Sequence, residues 1–217
     1  MDDKPTFLNF QRAMARSAKL ADLIQQPWDC APHCESSRTE AAQGLCLMSI
    51  DHAVAFQRLL PDIPASAMVL VRSQYESLVR AVWALYAASE SELDRLLAPL
   101  TLASQQAAKK LPGVPDMIAK LERSGPEGAS AMFQRARERM IDGLHSFVHG
   151  GIQPFARQRD GYPISFLIDM LGNSNALALL TLLVLTDITR DEDVSEFTRR
   201  LHDEFEDVLP ELEPYQR

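Results

Sequence analysis

Apolar residues recur every three to four positions along nearly the whole chain, and no segment alternates apolar and polar residues for the length of a strand. That period gathers apolar side chains on one stripe of a helix, so the core is expected to form through helix–helix contacts alone. No internal repeat is present, and the connections between apolar runs are short. The expected fold is all-α: one antiparallel bundle of about seven to eight helices, with residues 1–217 forming a single domain.

Helix-stop signals divide the chain. A first helix is expected from Thr6 to Gln25, stopping before Pro27, and QPWDCAPHCESS follows as a loop. Ser36 and Ser37 are N-cap candidates for a second helix to Leu60, which PDIP closes. A third spans Ala65 to Ala88, and a fourth Ser91 to Lys110, where LPGVP breaks it. A short helix is expected from Asp116 to Arg123, and Pro126 opens one that ends at His149. Ile164 to Ile188 is the most apolar helix, with an interruption at GNSN (172–175) as an option, and an acidic helix covers 192–209. The stretch NALALLTLLVLTDI within it is too short to cross a hydrocarbon core of about 30 Å, and it reads as a core helix.

Charge narrows the choice of partners. The formal net charge is −8, but eleven acidic residues against four arginines after Thr186 account for −7 of it. The first 186 residues are therefore nearly neutral, and binding of an anion there depends on a local cluster of arginines. No cationic start precedes an apolar segment, so a cytoplasmic location is expected, without a membrane association. Cys30, Cys34 and Cys46 fit reduced thiols, and CAPHC lacks the second cysteine pair of a zinc site.

Two stretches carry candidate chemistry. In AMVLVRSQYESLVRAVWALYAA, apolar on most of its circumference, Arg72, Glu76 and Arg80 lie at i, i+4 and i+8 and share one stripe, with Ser73 and Ser77 beside it. Glu76 between two arginines leaves one positive charge uncompensated, which suits an anion; a structural ion-pair lattice fits the same pattern. In RERMIDGLHSFVHGG, His145 and His149 project from one helix face, and Gly150 and Gly151 can close the helix in the left-handed conformation. The carbonyl end of the helix favours an imidazolium, making His149 a candidate proton donor.

These residues admit three readings. Asp142, His145 and His149 are possible metal ligands, completed by Glu76 or by Asp51 and His52, although one helix strains to supply three ligands to one ion. Alternatively, Arg139 holds a phosphodiester while His145 moves a proton, and no metal or other cofactor is needed because the ribose 2′-hydroxyl is the nucleophile. The third reading is a binding module without catalysis.

The Arg139-x5-His145 spacing late in a helical bundle resembles the HEPN (higher eukaryotes and prokaryotes nucleotide-binding) superfamily. The pairing of RSQYESLVRAVW with a later LHSFVHGG is similar to bacterial proteins with HEPN-like bundles, some linked to abortive infection, over roughly residues 40–190. The resemblance implies a metal-independent RNase of the toxin or phage-defence kind, acting on RNA as a homodimer, with an antitoxin or regulatory protein as a further expected partner. Arg139 would bind the phosphate and His145 would serve in proton transfer, with His149 as a further catalytic candidate. Met140 departs from the family pattern, which commonly has a polar residue after the motif arginine. A HEPN-like protein that only binds a nucleotide, small anion or protein partner is the alternative. In either case Arg72, Glu76 and Arg80 would face His145 and His149 across a polar cleft.

Overall fold

A computed structural model describes residues 5–29 and 35–210. CAPHC (30–34) and the last seven residues lie outside this range. The described chain is helical throughout, without a strand. In order come α1 (Phe7–Asp29), α2 (Ser37–Leu59), α3 (Pro64–Tyr86), α4 (Glu90–Leu97), α5 (Leu102–Ala108) and α6 (Val114–Ser124). Then follow α7 (Ala129–Ala136) and α8 (Asp142–Val148), which a π turn at Arg137–Ile141 fuses into one rod, and α9 (Ile152–Asp160). The long α10 (Ile164–Thr189), α11 (Glu192–Glu204) and a single 3₁₀ turn at Glu206–Val208 complete the described chain. With the rod counted once there are ten helices among the described residues, more than the seven to eight expected.

The extra elements have local causes. Residues 91–110 do not form one helix, because Ala98, ahead of Pro99, is held extended at φ −58°, ψ 141°. Thr101 then caps α5 through Ser104, and the chain doubles back. The helix α9 opens with Pro154 in its first turn and closes at Gly161, whose φ is +87°. Two expected interruptions do not occur. Pro27 lies in the last turn of α1, which continues to Asp29 with Trp28 buried. The GNSN segment remains helical because its polar groups find partners without breaking the turn: Asn173 Nδ2 donates to the Asp169 carbonyl at 2.8 Å.

At the centre, α2 and α3 form a tight antiparallel pair, and α10 packs on α1, α2, α3 and α11. Without an interruption α10 is 26 residues long, and its length and composition alone would allow it to cross a membrane. Two thirds of its most apolar window is instead buried among its neighbours, as in a core helix. The other side of α3 receives α6 and α8.

Polar groups fix the register of this core. Gln74 and Asn175 are 0% and 1% exposed, and burial of a carboxamide is tolerable only when its donors and acceptors are matched. Gln74 Nε2 donates to the Ser174 carbonyl at 2.9 Å, and Ser174 Oγ returns a bond to Gln74 Oε1 at 2.7 Å. Asn175 Nδ2 donates to Ser17 Oγ at 2.8 Å and to the Val208 carbonyl at 2.9 Å, and its Oδ1 accepts from Gln57 Nε2 at 3.2 Å. One side chain thus joins α1, α2, α10 and the chain after α11. Replacing Asn175 by Ala is expected to lower the unfolding free energy by about 2–4 kcal/mol, because buried partners lose their bonds together. The same change at Asn173 should cost less than about 1 kcal/mol; urea denaturation of both variants measures the difference.

Candidate anion-binding site

Arg72, Glu76 and Arg80 do form one chain of charges along α3. Arg72 Nε donates to Glu76 Oε1 at 2.8 Å, and Arg80 Nη1 reaches Glu76 Oε2 at 3.3 Å. Their side chains are 25%, 23% and 37% exposed, so the stripe lies at the edge of the core, half shielded from water. Such i,i+4 pairs contribute only about 0.3–0.5 kcal/mol each, and their main consequence is positional. Both carboxylate oxygens of Glu76 are engaged, and the stripe carries a net single positive charge.

The far end of the chain of charges meets the second candidate stretch. Arg72 Nη1 contacts Nδ1 of His145, joining α3 to α8. A guanidinium only donates, so in this contact the ring accepts at Nδ1 and carries its proton on Nε2. His149 lies against His145, with ring centroids 4.4 Å apart and planes tilted by 56°. Both imidazoles are exposed. The structure therefore brings Arg72, His145 and His149 together, with Glu76 and then Arg80 following Arg72 along α3.

The local sequence explains the corner that holds His149. Gly150 takes φ +62°, and Gly151 N–H then donates to the Ser146 carbonyl at 2.8 Å, the 6→1 bond of a Schellman closure. Ser146 Oγ accepts from the Gln153 amide at 3.1 Å, so the hydroxyl of one helix caps the next. A Cβ on Gly151 would approach that Oγ to 2.5 Å. HSFVHGG is thus a hinge between α8 and α9 as well as a carrier of two histidines.

Arg139 lines a groove whose walls include neither His145 nor His149. It sits in the π turn, where the Asp142 amide bonds to the Arg137 carbonyl five residues back instead of four. The wide turn shifts the helical phase between Arg139 and His145. With Met132, Met140, Gly143 and Phe147, Arg139 lines a groove of about 1590 Å³ that the rod forms with α10 and α11. Tyr75 anchors the rod just before the turn: its buried hydroxyl donates to the Phe133 carbonyl at 2.8 Å, and burial raises its pKa.

The metal reading lacks a ligand set. Among the described residues no group of three or more His, Cys, Asp or Glu side chains is placed to hold an ion. Asp142, the proposed partner of the two histidines, pairs with Arg137 at 3.4 Å. Cys46 is a buried free thiol whose pKa is pushed up by burial, which suits neither a nucleophile nor a ligand.

Sequence reasoning missed Arg157, which joins Arg139 in lining the groove and lies over the Phe166 ring at 4.9 Å. It belongs to α9, whose signals were present in Gly151, Pro154 and Gly161.

The hinge makes a test. Gly151→Ala is expected to destabilise the protein by about 1–2 kcal/mol through loss of the Ser146 cap, and Gly150→Ala by a similar amount through its left-handed φ. Gly143, where an added Cβ meets nothing within 4 Å, should accept Ala with a gain of up to about 1 kcal/mol. Thermal and urea unfolding of the three variants check this order.

No curated protein and no solved structure matches the chain. A family model does match residues 46–211, a span that includes the arginine stripe, both histidines and the hinge. By that match the chain belongs to a family of unknown function (DUF6988).

Proposed function

We propose that the protein is a metal-independent, HEPN-like ribonuclease in which Arg72, in place of Arg139, is the cation that holds the scissile phosphate. The observation that carries this reading is the contact of Arg72 with His145 across two helices, with His149 against the same ring. A phosphodiester arriving at the cluster offers Arg72 a stronger, charged acceptor than an imidazole nitrogen. As Arg72 turns to it, Nδ1 of His145 is released and becomes available to a proton.

The chemistry then needs no other group. His145 takes the proton of the ribose 2′-hydroxyl, whose oxygen attacks the adjacent phosphorus, and the bond to the 5′ oxygen breaks. His149, in its protonated form, gives its proton to the departing oxygen. Arg72 stabilises charge on the non-bridging oxygens. The products are a 2′,3′-cyclic phosphate and a 5′-hydroxyl. Action as a cytoplasmic toxin or phage-defence homodimer, with an antitoxin or other regulatory protein, belongs to this proposal on the family resemblance alone.

A second reading has its own observation. Of the resemblance's catalytic pair, Arg139 lines the groove beside α10 and α11, whose walls do not include His145. The cluster would then bind a nucleotide or another anion without cutting it.

Total cellular RNA incubated with purified protein and excess chelator separates the two. The nuclease reading predicts chelator-resistant cleavage that the His145→Ala, His149→Ala double variant lacks. It also predicts a fall of roughly 100-fold or more for Arg72→Gln, the scale for loss of one charge-stabilising donor, against less than about threefold for Arg139→Gln. Absence of cleavage by the wild type at high enzyme and long incubation would leave the binding reading.

A further inference from the structure

Among the described residues, no helix fills the groove between the α7–α8 rod and α10. Its two walls share a period. Phe166, Asp169, Asn173, Ala176, Leu180 and Leu183 of α10 line it three or four residues apart, and so do Met132, Ala136, Met140, Gly143 and Phe147 of the rod. Residues at that spacing form one stripe of a helix, and a mostly apolar stripe is ordinarily covered by that of another helix. Here both stripes border the gap, and Leu183, which ends the one on α10, is 42% exposed. From Phe166 to Leu183 that stripe runs about 26 Å at 1.5 Å per residue. Cations border the same gap: Arg135, Arg139, Arg157 and Arg199 line it against Asp169 and Asp207, and Asp207 already pairs with Arg16 at 2.9 Å. The chain as a whole carries −8, so the excess of positive charge is local to this groove.

We propose that this groove receives an acidic amphipathic helix of four to five turns from a partner protein. The apolar stripe of the incoming helix packs between the leucines of α10 and the methionines of the rod, and the carboxylates beside that stripe reach the four arginines. Size argues for a polypeptide, because about 1590 Å³ exceeds the roughly 300–1,000 Å³ of pockets for small molecules. Period argues for a helix, because both walls repeat every three to four residues as helical partners do. Wall chemistry argues against a single strand of RNA: the bases would find Phe147 and Phe166 to stack on, among walls that are otherwise largely aliphatic or thioether. Met132 and Met140 are unbranched and can repack around an incoming side chain. The walls include neither His145 nor His149, so the surface is separate from the proposed cleavage site and does not depend on that reading.

The probe is a labelled synthetic peptide of about 18 residues, four to five helical turns long, with leucine at heptad positions a and d and glutamate at e and g. Fluorescence anisotropy reads its binding to the full chain. Two further peptides have the same composition with the leucines scattered around the helix, or lysine in place of every glutamate. The striped acidic peptide is expected to bind saturably with one peptide per chain, and each of the other two about tenfold or more weakly. Leu183→Glu and Arg199→Glu, both at exposed positions and checked for unchanged helicity, should each weaken binding about fivefold or more, the scale for loss of an interface contact. Leu47→Glu, exposed on α2 away from the groove, should leave it unchanged. No saturable binding, equal affinity for striped and scattered peptides, or a Leu183→Glu variant that binds like wild type would overturn the proposal. Self-association of the wild type that Leu183→Glu abolishes would also overturn it, giving the groove to a second copy. So would peptide binding that appears only after removal of residues 211–217, which would give the groove to that segment.

Discussion

Two carboxamides in the core set the positions of everything around them. Gln74 and Asn175 occupy sites that apolar side chains would otherwise fill, and each is matched by donors and acceptors from other helices. Apolar packing alone tolerates small slides of one helix along another, since leucine and valine contacts are non-directional. A matched buried amide does not, because a slide of one residue would strand several polar atoms in the core. With α3 held to α10 in this way, Tyr75 on the next position of α3 reaches back to Phe133 and fixes the rod that carries the histidines. The meeting of Arg72 and His145 is a consequence of that register.

The same helix therefore has two occupations. Its inner face is fully buried, whereas Arg72, Glu76 and Arg80 run along the boundary between core and solvent. Partial burial matters for the chemistry proposed here: an arginine deep in the core would need permanent pairing, and one wholly in water would be a weak, screened ligand for phosphate. Glu76 pairs with both arginines while leaving the group positively charged overall. One end of the series meets an imidazole pair, and Arg80 at the other end lines a small cavity beside Trp83 and Met117.

Much of the fold was legible in the sequence, for reasons that differ between elements. The boundaries of α2 and α3 follow from Ser36, the PDIP turn and unbroken apolar periodicity, and the structure agrees to within two residues. Pro27 misled because a proline in the last turn removes little of the helix, and GNSN misled because polarity in a core helix can mean a buried network as readily as a break. The break at Pro99 was hidden by helix-favouring residues on both sides. Within the candidate site, the shared stripe of Arg72, Glu76 and Arg80 and the shared face of His145 and His149 follow directly from spacing. Which stripe meets which face does not, because it depends on the packing of α3 against α8. The helical phase between Arg139 and His145 depends on a π turn, a backbone adjustment that the residue types of RERMI do not announce.

The Arg72–His145 contact is the point on which the account turns, and the imidazole nitrogens report it directly. Long-range ¹H–¹⁵N correlation spectra of the protein, near neutral pH and without ligand, distinguish the tautomers of each histidine. His145 is expected to carry its proton on Nε2 with Nδ1 as an acceptor, and Arg72→Gln to change both nitrogen shifts of His145 while leaving those of His202 in place. A His145 signal unaffected by loss of Arg72, or one with the proton on Nδ1, would contradict it.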